Sequence, residues 1–396
     1  MSQRWRLTFT PVDSWYFRES RPHGAAGADR LESLFPPPVR TIAGAIRTRL
    51  GECLNVDWQA FRQGEAYFED ISINELLGDS ADTGMLSFSR VELTINNQPL
   101  FPWPACVLEK KGLDISSLKR AEYVRLKPGN PVQCDLGNVC LPELVKPCPG
   151  AKVPAGDYLD QSLLEQILAG GLPDTSGKGI TRRSDLFSLE PRLGIGRDVK
   201  RGTIEQGLLY QTSHLRLGED VSVTVSVDGL PEIVAKRLQD NLQTSPFIRF
   251  GAEGRMARVE IHSQTQQWLP KPPKVKGGEQ GVVLMLLSDG DFGDTRQSPL
   301  PGFKPVIQKD VTLWQGSING LEVELHCVMA GKPVRRGGWD LKQGCPGVMK
   351  SYVPAGSCYF IKPLKSTVTQ ILELHGTCIG EQTSWGYGQI ACGLWK

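Results

Sequence analysis

The chain lacks most of what would place it in a membrane or give it a ready-made catalytic centre. Its 396 residues hold no apolar run of about 18, so no membrane-spanning helix is expected. The start, Met1-Ser2-Gln3-Arg4-Trp5-Arg6, carries charge with no apolar stretch behind it, which argues against a secretory leader and for a cytoplasmic protein. HExxH, GxSxG and GxxxxGK[ST] are all missing, which argues against a zincin, a serine-elbow hydrolase and a P-loop triphosphatase. There are five histidines, His23, His214, His262, His326 and His375, and none stands in a metal-binding spacing. The ten cysteines include one tight group, Cys134, Cys140 and Cys148, without CxxC spacing or a nearby histidine. Buried or idle thiols are expected there rather than a zinc site or disulfides. No cofactor is expected either.

What is present is the composition of a globular protein. Hydrophobic residues make up 40% and charged residues 22%, enough to exclude disorder along the whole length and to support two or three domains. The net charge of +2 conceals segregation. Residues 1–50 hold eight arginines against four acids, 176–202 seven basic residues against three acids, and 332–350 five against Asp340 alone. The acids gather in 64–92, where seven face only Arg90. Local basic patches on a near-neutral chain suit a polyanion docking at defined places; the alternative for each is ordinary solvated surface.

Trp5, Leu7 and Phe9 alternate with polar residues as in a half-buried strand. After Phe35-Pro36-Pro37-Pro38, the apolar residues Val39, Ile42, Ala43, Ile46 and Leu50 recur at helical spacing, with Gly51 as the expected C-terminal cap. Residues 85–95 read as a strand. From about 98 to 190 the chain is rich in Pro, Gly, Cys and Lys with helical character only at Leu163–Leu168, which suggests a large insertion. Regular structure resumes at Gly207–Leu217, then Val221, Val223, Val225 and Val227 alternate, Leu230–Leu242 has helical spacing, and Phe247–Ile261 is a strand pair broken by glycines. Strand, helix, strand, strand, helix, strand is the ferredoxin-like βαββαβ order, whose open sheet face serves many RNA-binding domains. Lys271-Pro272-Pro273-Lys274 reads as a linker. The second half repeats the order at Val282–Leu287, Leu321–Met329, Cys358–Ile361, Val368–Leu372 and Ile390–Trp395, except that 290–316 shows no helical period. The expected class is therefore α+β, two ferredoxin-like (RRM-like) domains over 1–265 and 275–396, with the 98–190 insertion in the first.

Three constellations could carry chemistry. The first is the helix start at Val39, whose unpaired N–H groups suit a phosphate, with Arg40, Thr41 and Arg47 as added donors and Arg18, Arg21 and His23 on the preceding loop. The alternative is pairing of those arginines with acids. The second is a glycine loop in each half, Gly251-x-x-Gly254-Arg255 and Gly376…Gly380…Gly386-Tyr387-Gly388, where glycine admits close approach of a sugar-phosphate backbone or of packed protein. Arg335-Arg336-Gly337-Gly338-Trp339-Asp340 is the third, suited to stacking on a base and gripping phosphates, or to a structural turn. Asp289, Asp291 and Asp294 have the chemistry for Mg²⁺, but the Gly-Asp turns around them point to a solvated loop. His23 beside Arg21 could serve as a general base for metal-independent RNA cleavage, or simply contact a phosphate or the backbone.

Taken together, Pro11-Val12-Asp13-Ser14-Trp15-Tyr16-Phe17-Arg18-Glu19-Ser20-Arg21-Pro22 and Phe35-Pro36-Pro37-Pro38-Val39-Arg40-Thr41-Ile42-Ala43-Gly44-Ala45-Ile46-Arg47 resemble the third-subunit family of the type III-B CRISPR effector, the Cmr complex. Arg192-Leu193-Gly194-Ile195, Gly207-Leu208-Leu209-Tyr210, Gly337-Gly338-Trp339-Asp340, Val353-Pro354-Ala355-Gly356 and the C-terminal glycine loop add to the likeness. The resemblance implies two RAMP (repeat-associated mysterious protein) domains and a role without catalysis. It implies a subunit that caps the complex, holds the 5′ handle of the CRISPR RNA, binds the large polymerase/cyclase-like subunit and contacts the first backbone RAMP subunit, with target RNA met only indirectly. It also implies a thumb-like element, which the 98–190 insertion could contain. Carried over by motif, Arg18, Arg21, His23, Arg40, Thr41, Arg47, Gly251, Gly254 and Arg255 would face the RNA, with Arg336, Trp339, Gly386 and Gly388 there, or shaping the interdomain cleft or a subunit interface. The other readings are a repeat-processing endoribonuclease with His23 as base, and a subunit that binds only protein.

Overall fold

The computed structural model describes residues 3–19, 30–111, 121–135, 137–197, 204–264, 267–295, 298–340 and 345–396, with backbone alone at 30, 195–197, 204–210, 339–340 and 345–346. The fold is mixed and strand-rich. Strand Arg4–Pro11 lies at the centre of the first sheet, antiparallel to Val221–Asp228 on one side and Met256–Gln264 on the other. Glu92–Ile95 continues the sheet beyond Val221–Asp228, Gln98–Pro102 follows it, and Phe247–Arg249 closes the opposite edge. Alternation explains the layering. Trp5, Leu7, Phe9, Val223, Val225, Val227, Ala257 and Val259 are buried on one face, where they pack in one core with helices Val39–Cys53 and Glu232–Thr244.

The helical spacing from Val39 is real: Val39, Ile42, Ala43, Ile46 and Leu50 are all buried. Gly51 is not its cap, because the helix continues to Cys53 and is capped at Leu54. Gly51 is small for a packing reason, since a Cβ there would enter the ring of Trp58.

The second sheet runs Lys304–Gln308, Val311–Ile318, Leu321–Met329, Cys358–Pro363, Gly281–Leu286, Ile390–Trp395. Where a first helix would lie, residues 304–318 instead form a two-stranded hairpin, in keeping with the missing helical period. Gly281–Leu286 and Ile390–Trp395 are buried at every position, the mark of strands covered on both faces. One face, with Leu284, Tyr359 and Leu394, packs on helix Val368–Leu372 and its neighbouring loops.

The other face is covered by residues of the 98–190 segment, read above as an insertion. Phe101, Trp103, Leu164 and Ile167 share a core with Val283, Met285, Cys327, Phe360 and Trp395. The insertion is also more regular than expected, with strands Val107–Lys110, Glu122–Cys134 and Gly137–Leu144 in one small sheet and helix Gln161–Leu168 capped by Asp160. Pro128, Pro131 and Pro142, which read as loop in the sequence, lie in the hairpin of that sheet. A second long hairpin, Phe187–Arg197 with Ile204–Leu217, packs Phe187, Leu215 and Leu217 into the core of the first sheet. No described cysteine is in a disulfide, no described group of three or more His, Cys, Asp and Glu could hold a metal ion, and no described helix is long and apolar enough to cross a membrane.

Candidate nucleic-acid interface

The loop after the first strand is built on aromatic packing. Ser14, Trp15, Tyr16 and Phe17 are all buried. Trp15 exchanges backbone hydrogen bonds of 2.9 and 2.7 Å with Leu215 of the long hairpin. Its ring and that of Phe17 stand edge-on to Phe250, at centroid distances of 4.9 and 5.0 Å. Arg18 then emerges exposed, its backbone bridged to Ser33.

The first glycine loop closes over this segment. The Ala252 N–H donates to the Tyr16 carbonyl at 2.8 Å. Gly251 has φ +94°, and a Cβ there would press on the same carbonyl, so this glycine is required by packing. Gly254, at φ +66°, has nothing within 4 Å of its Cβ position and faces open space. Sequence reasoning placed Arg18 and the Gly251–Arg255 loop in one site, and the fold makes their segments neighbours.

Arg255 is not an isolated cation. Asp13 is shared by Arg216 at 2.9 Å, Arg192 at 3.1 Å and Arg255 at 3.4 Å. Those hydrogen bonds from Arg216 and Arg192 hold the Asp13 carboxyl at about 2, below its ordinary 3.8. Glu190 pairs with Arg192 and Arg216 as well. His214 is fully buried beneath, stacked on Tyr16 with centroids 5.1 Å apart. Its ring nitrogens lie 3.3 Å from Ser14 Oγ and 3.1 Å from Glu253 Oε2. Burial, with Arg192 nearby, pushes His214 below its ordinary value, so the neutral ring is favoured at pH 7. The sequence signal that could have found this cluster is alternation: Glu190 and Arg192, and likewise His214 and Arg216, are two residues apart and so share a face of their strands.

Arg40 and Arg47 of the first helix are engaged by other parts of the chain. Arg40 donates to the Ser80 carbonyl and to Gln382 Oε1, each at 2.8 Å. Arg47 donates to the carbonyls of Asp79 and Asp82 at 2.7 and 2.5 Å. Both guanidiniums lie over the Trp385 indole, 4.4 and 4.7 Å from its centre. Burial pulls Arg47 down to about 10. Thr41 is half-buried, with its N–H bonded to the Pro38 carbonyl.

The C-terminal glycine loop meets the same helix. Gly386 and Gly388 have φ of +80° and +72°, and Cβ atoms there would collide with the carbonyls of Ser89 and Ile379. The structure thus brings Arg40, Arg47 and Gly386 together, at a contact between the two halves. Arg336 lies nearby in the second half, 3.2 Å from Asp289 and largely buried with it. Asp291 is 2% exposed and 3.3 Å from Lys350. The expected solvated acidic loop is therefore wrong at both positions: turn residues there hide carboxylates already matched by cations. Trp339 is in a two-residue strand paired with Cys345–Pro346. Arg21 and His23 lie outside the described residues.

In comparison with known proteins, the model of the family described as CRISPR-associated protein (Cas_Cmr3) matches residues 7–395. No curated protein matches the chain. Among solved structures, the chain is similar to one in a cryo-EM structure of the type III-B Cmr-beta bound to cognate target RNA, with 15% identity, 98% of this chain and 96% of that one covered, and a TM-score of 0.48. A chain in the cryo-EM structure of the type III-B Cmr-beta bound to cognate target RNA and AMPPnP, state 1, gives 15% identity, coverage of 90% and 86%, and a TM-score of 0.46. A chain of the Csm3–Csm4 subcomplex of the type III-A interference complex gives 11%, 91% and 94%, and 0.39.

Proposed function

The chain belongs to the Cas_Cmr3 family of CRISPR-associated proteins, and from that premise we propose that it is the non-catalytic RNA-binding subunit of a type III-B effector. In this reading it holds the 5′ handle of the CRISPR RNA, docks the large polymerase/cyclase-like subunit and contacts the backbone RAMP subunit. Each half is read as a ferredoxin-like RAMP domain, over 1–265 and 275–396. The strand order supports this: Met256–Gln264, Arg4–Pro11, Val221–Asp228, Glu92–Ile95 in one, and Ile390–Trp395, Gly281–Leu286, Cys358–Pro363, Leu321–Met329 in the other.

The observation that carries the reading is the match to the family over residues 7–395. The position of Arg18 supports it: this residue is exposed at the end of a segment on which the Gly251–Arg255 loop rests. A rigid aromatic base beneath an exposed cation and an open glycine turn suits a sugar-phosphate backbone.

The test is binding of a 5′-labelled CRISPR RNA, with native or scrambled handle, to the chain together with its large partner in EDTA. Preferential binding of intact native RNA, weakened by salt, is expected. Cleavage at one position, lost in His23→Ala, would replace this reading with the endoribonuclease. A heterodimer that forms without RNA preference would leave a subunit that binds only protein.

A further inference from the structure

The two sheets differ in what covers the face away from their main helices. In the second half that face is apolar and sealed by the insertion, through Val283, Met285, Cys327 and Phe360. The same face of the first sheet is polar. Arg6 is paired across the sheet with His262 and Ser226, and Thr8 with Glu260 and Thr224, so these side chains share one face. A cleft of about 440 Å³ opens there, lined by Arg6, Thr8, Asn97, Ser222, Glu260 and His262 among others. That is within the range of small-ligand sites, roughly 300–1,000 Å³.

The groups in the cleft have unspent capacity. Arg6 lines the cleft with its guanidinium lying over the Trp268 ring, 3.2 Å from the centre. Glu260 stands between Arg258 at 3.4 Å and His262 at 3.8 Å, all three side chains more than half exposed. Exposed pairs of that length are worth little and exchange readily for a ligand. An imidazole and a guanidinium suit a phosphate, a carboxylate suits a ribose 2′-hydroxyl, and Thr8 and Ser222 add donors that turn either way. The cleft's lining holds no Phe, Tyr or Trp, and stacking on the His262 imidazole alone would tolerate any base.

We propose that this cleft is a second RNA contact, taking one ribose-phosphate unit of a single strand without regard to base. The proposal rests on the RNA-binding reading above and adds a site on which that reading does not depend. Through Glu260 the cleft would favour RNA over DNA, since only RNA carries the 2′-hydroxyl.

The experiment compares binding of a 5′-labelled single-stranded RNA, and of DNA of the same sequence, to the full chain and to Glu260→Gln and His262→Ala. Both substitutions are at exposed strand positions, and circular dichroism would check that the fold is kept. Loss of one charge-assisted hydrogen bond corresponds to about a tenfold change. His262→Ala is expected to weaken both ligands by roughly that factor, and Glu260→Gln to reduce the RNA preference by a similar one. Unchanged affinity and preference in both variants, with Arg18→Glu still weakening RNA, would overturn the cleft and leave the functional reading standing. Failure of the unaltered chain to bind RNA would overturn both. If His262→Ala instead weakened only the association with the large subunit, the face would be a protein interface and the proposal would fall.

Discussion

The guanidinium of Arg40 lies 4.4 Å from the centre of the Trp385 indole, joining the first helix to the C-terminal glycine loop. Arg47 lies over the same ring at 4.7 Å, and Trp385 stacks on Phe88 with centroids 6.2 Å apart. One buried indole thus ties together segments about 300 to 345 residues apart in sequence.

Trp385→Ala is expected to cost about 3–5 kcal/mol, the usual range for truncating a buried large aromatic. Arg40→Ala should cost about 1 kcal/mol through the cation–π contact and the lost bond to Gln382. The double variant should be less damaging than the sum, by about 0.5–3 kcal/mol. Urea denaturation of the four proteins measures the cycle. Strict additivity would show that the arginine and the indole do not interact.

The glycines of the two loops should respond differently to the same change. Gly386→Ala drives a Cβ into the Ser89 carbonyl, whereas at Gly254 the Cβ meets nothing and only the positive φ is strained. Gly254→Ala is expected to cost about 1 kcal/mol, and Gly386→Ala several-fold more, because backbone must move. Thermal melting of both variants checks the order. Equal losses would mean that the C-terminal loop shifts freely away from the first half.

The repeated strand order was legible because it is local information: alternation at Val221–Val227 and helical spacing from Val39 each report a nearby solvent boundary. The missing helix before Leu321 could be read for the same reason. The site was legible only as residue types. The helix start, the glycine loop and the family resemblance mark Arg40, Arg47 and Arg255 as candidate phosphate ligands without showing what else they touch. Their partners, Gln382 and Trp385 for Arg40 and Asp13 for Arg255, are more than 200 residues away in the chain. Charge counts over a window cannot see such pairing. The insertion was misread as irregular because prolines and lysines on an exposed hairpin look like loop, while its inward face, Phe101, Trp103 and Ile167, is spread over a long stretch.

Asp13 makes a pH prediction whose sign follows from its depressed carboxyl. A carboxyl at about 2 in the folded protein and 3.8 unfolded stabilises the fold above the unfolded value, and the contribution is lost as pH falls through about 2. With its side chain 47% exposed, solvent screening keeps the effect small. Asp13→Asn should therefore melt below the unaltered protein near neutrality, and the two curves should converge as pH falls toward 2. A gap that persists undiminished in acid would mean that the hydrogen bonds, not the charge, hold Arg192 and Arg216.

Arg90 and Glu92 form an ion pair at 3.1 Å with side chains 1% and 0% exposed, beneath the linker segment whose Trp268 carbonyl accepts from Arg90 at 2.9 Å. Removing one charge strands the other, so Arg90→Met should cost about 3–5 kcal/mol, and Arg90→Met with Glu92→Leu should recover most of it. Burial already raises Glu92, and losing Arg90 would raise it further. A carboxyl raised in the folded state gains stability on protonation, so the Arg90→Met deficit should shrink as pH falls. Denaturant titrations of both variants across acid pH would test this; a deficit that grows in acid would contradict the burial argument.

Arg18 separates binding from stability in a way that Arg40 and Arg47 cannot. Arg40 and Arg47 hold loop carbonyls and the Trp385 ring, so replacing them disturbs the fold before any RNA is added. Arg18 is exposed and its backbone alone is bridged to Ser33, so Arg18→Ala should leave the melting temperature within about 0.5 kcal/mol equivalent of the original. Each phosphate contact on a single strand contributes a slope of about 0.7 in the logarithmic dependence of affinity on salt. Arg18→Ala should therefore weaken RNA binding and flatten that dependence by about 0.7, with no change in handle preference, because a phosphate contact positions the strand without reading its bases. Titrations at several salt concentrations measure affinity and slope together. An unchanged slope would remove Arg18 from the interface and leave the open turn at Gly254 as the part of that loop cluster still free to meet RNA.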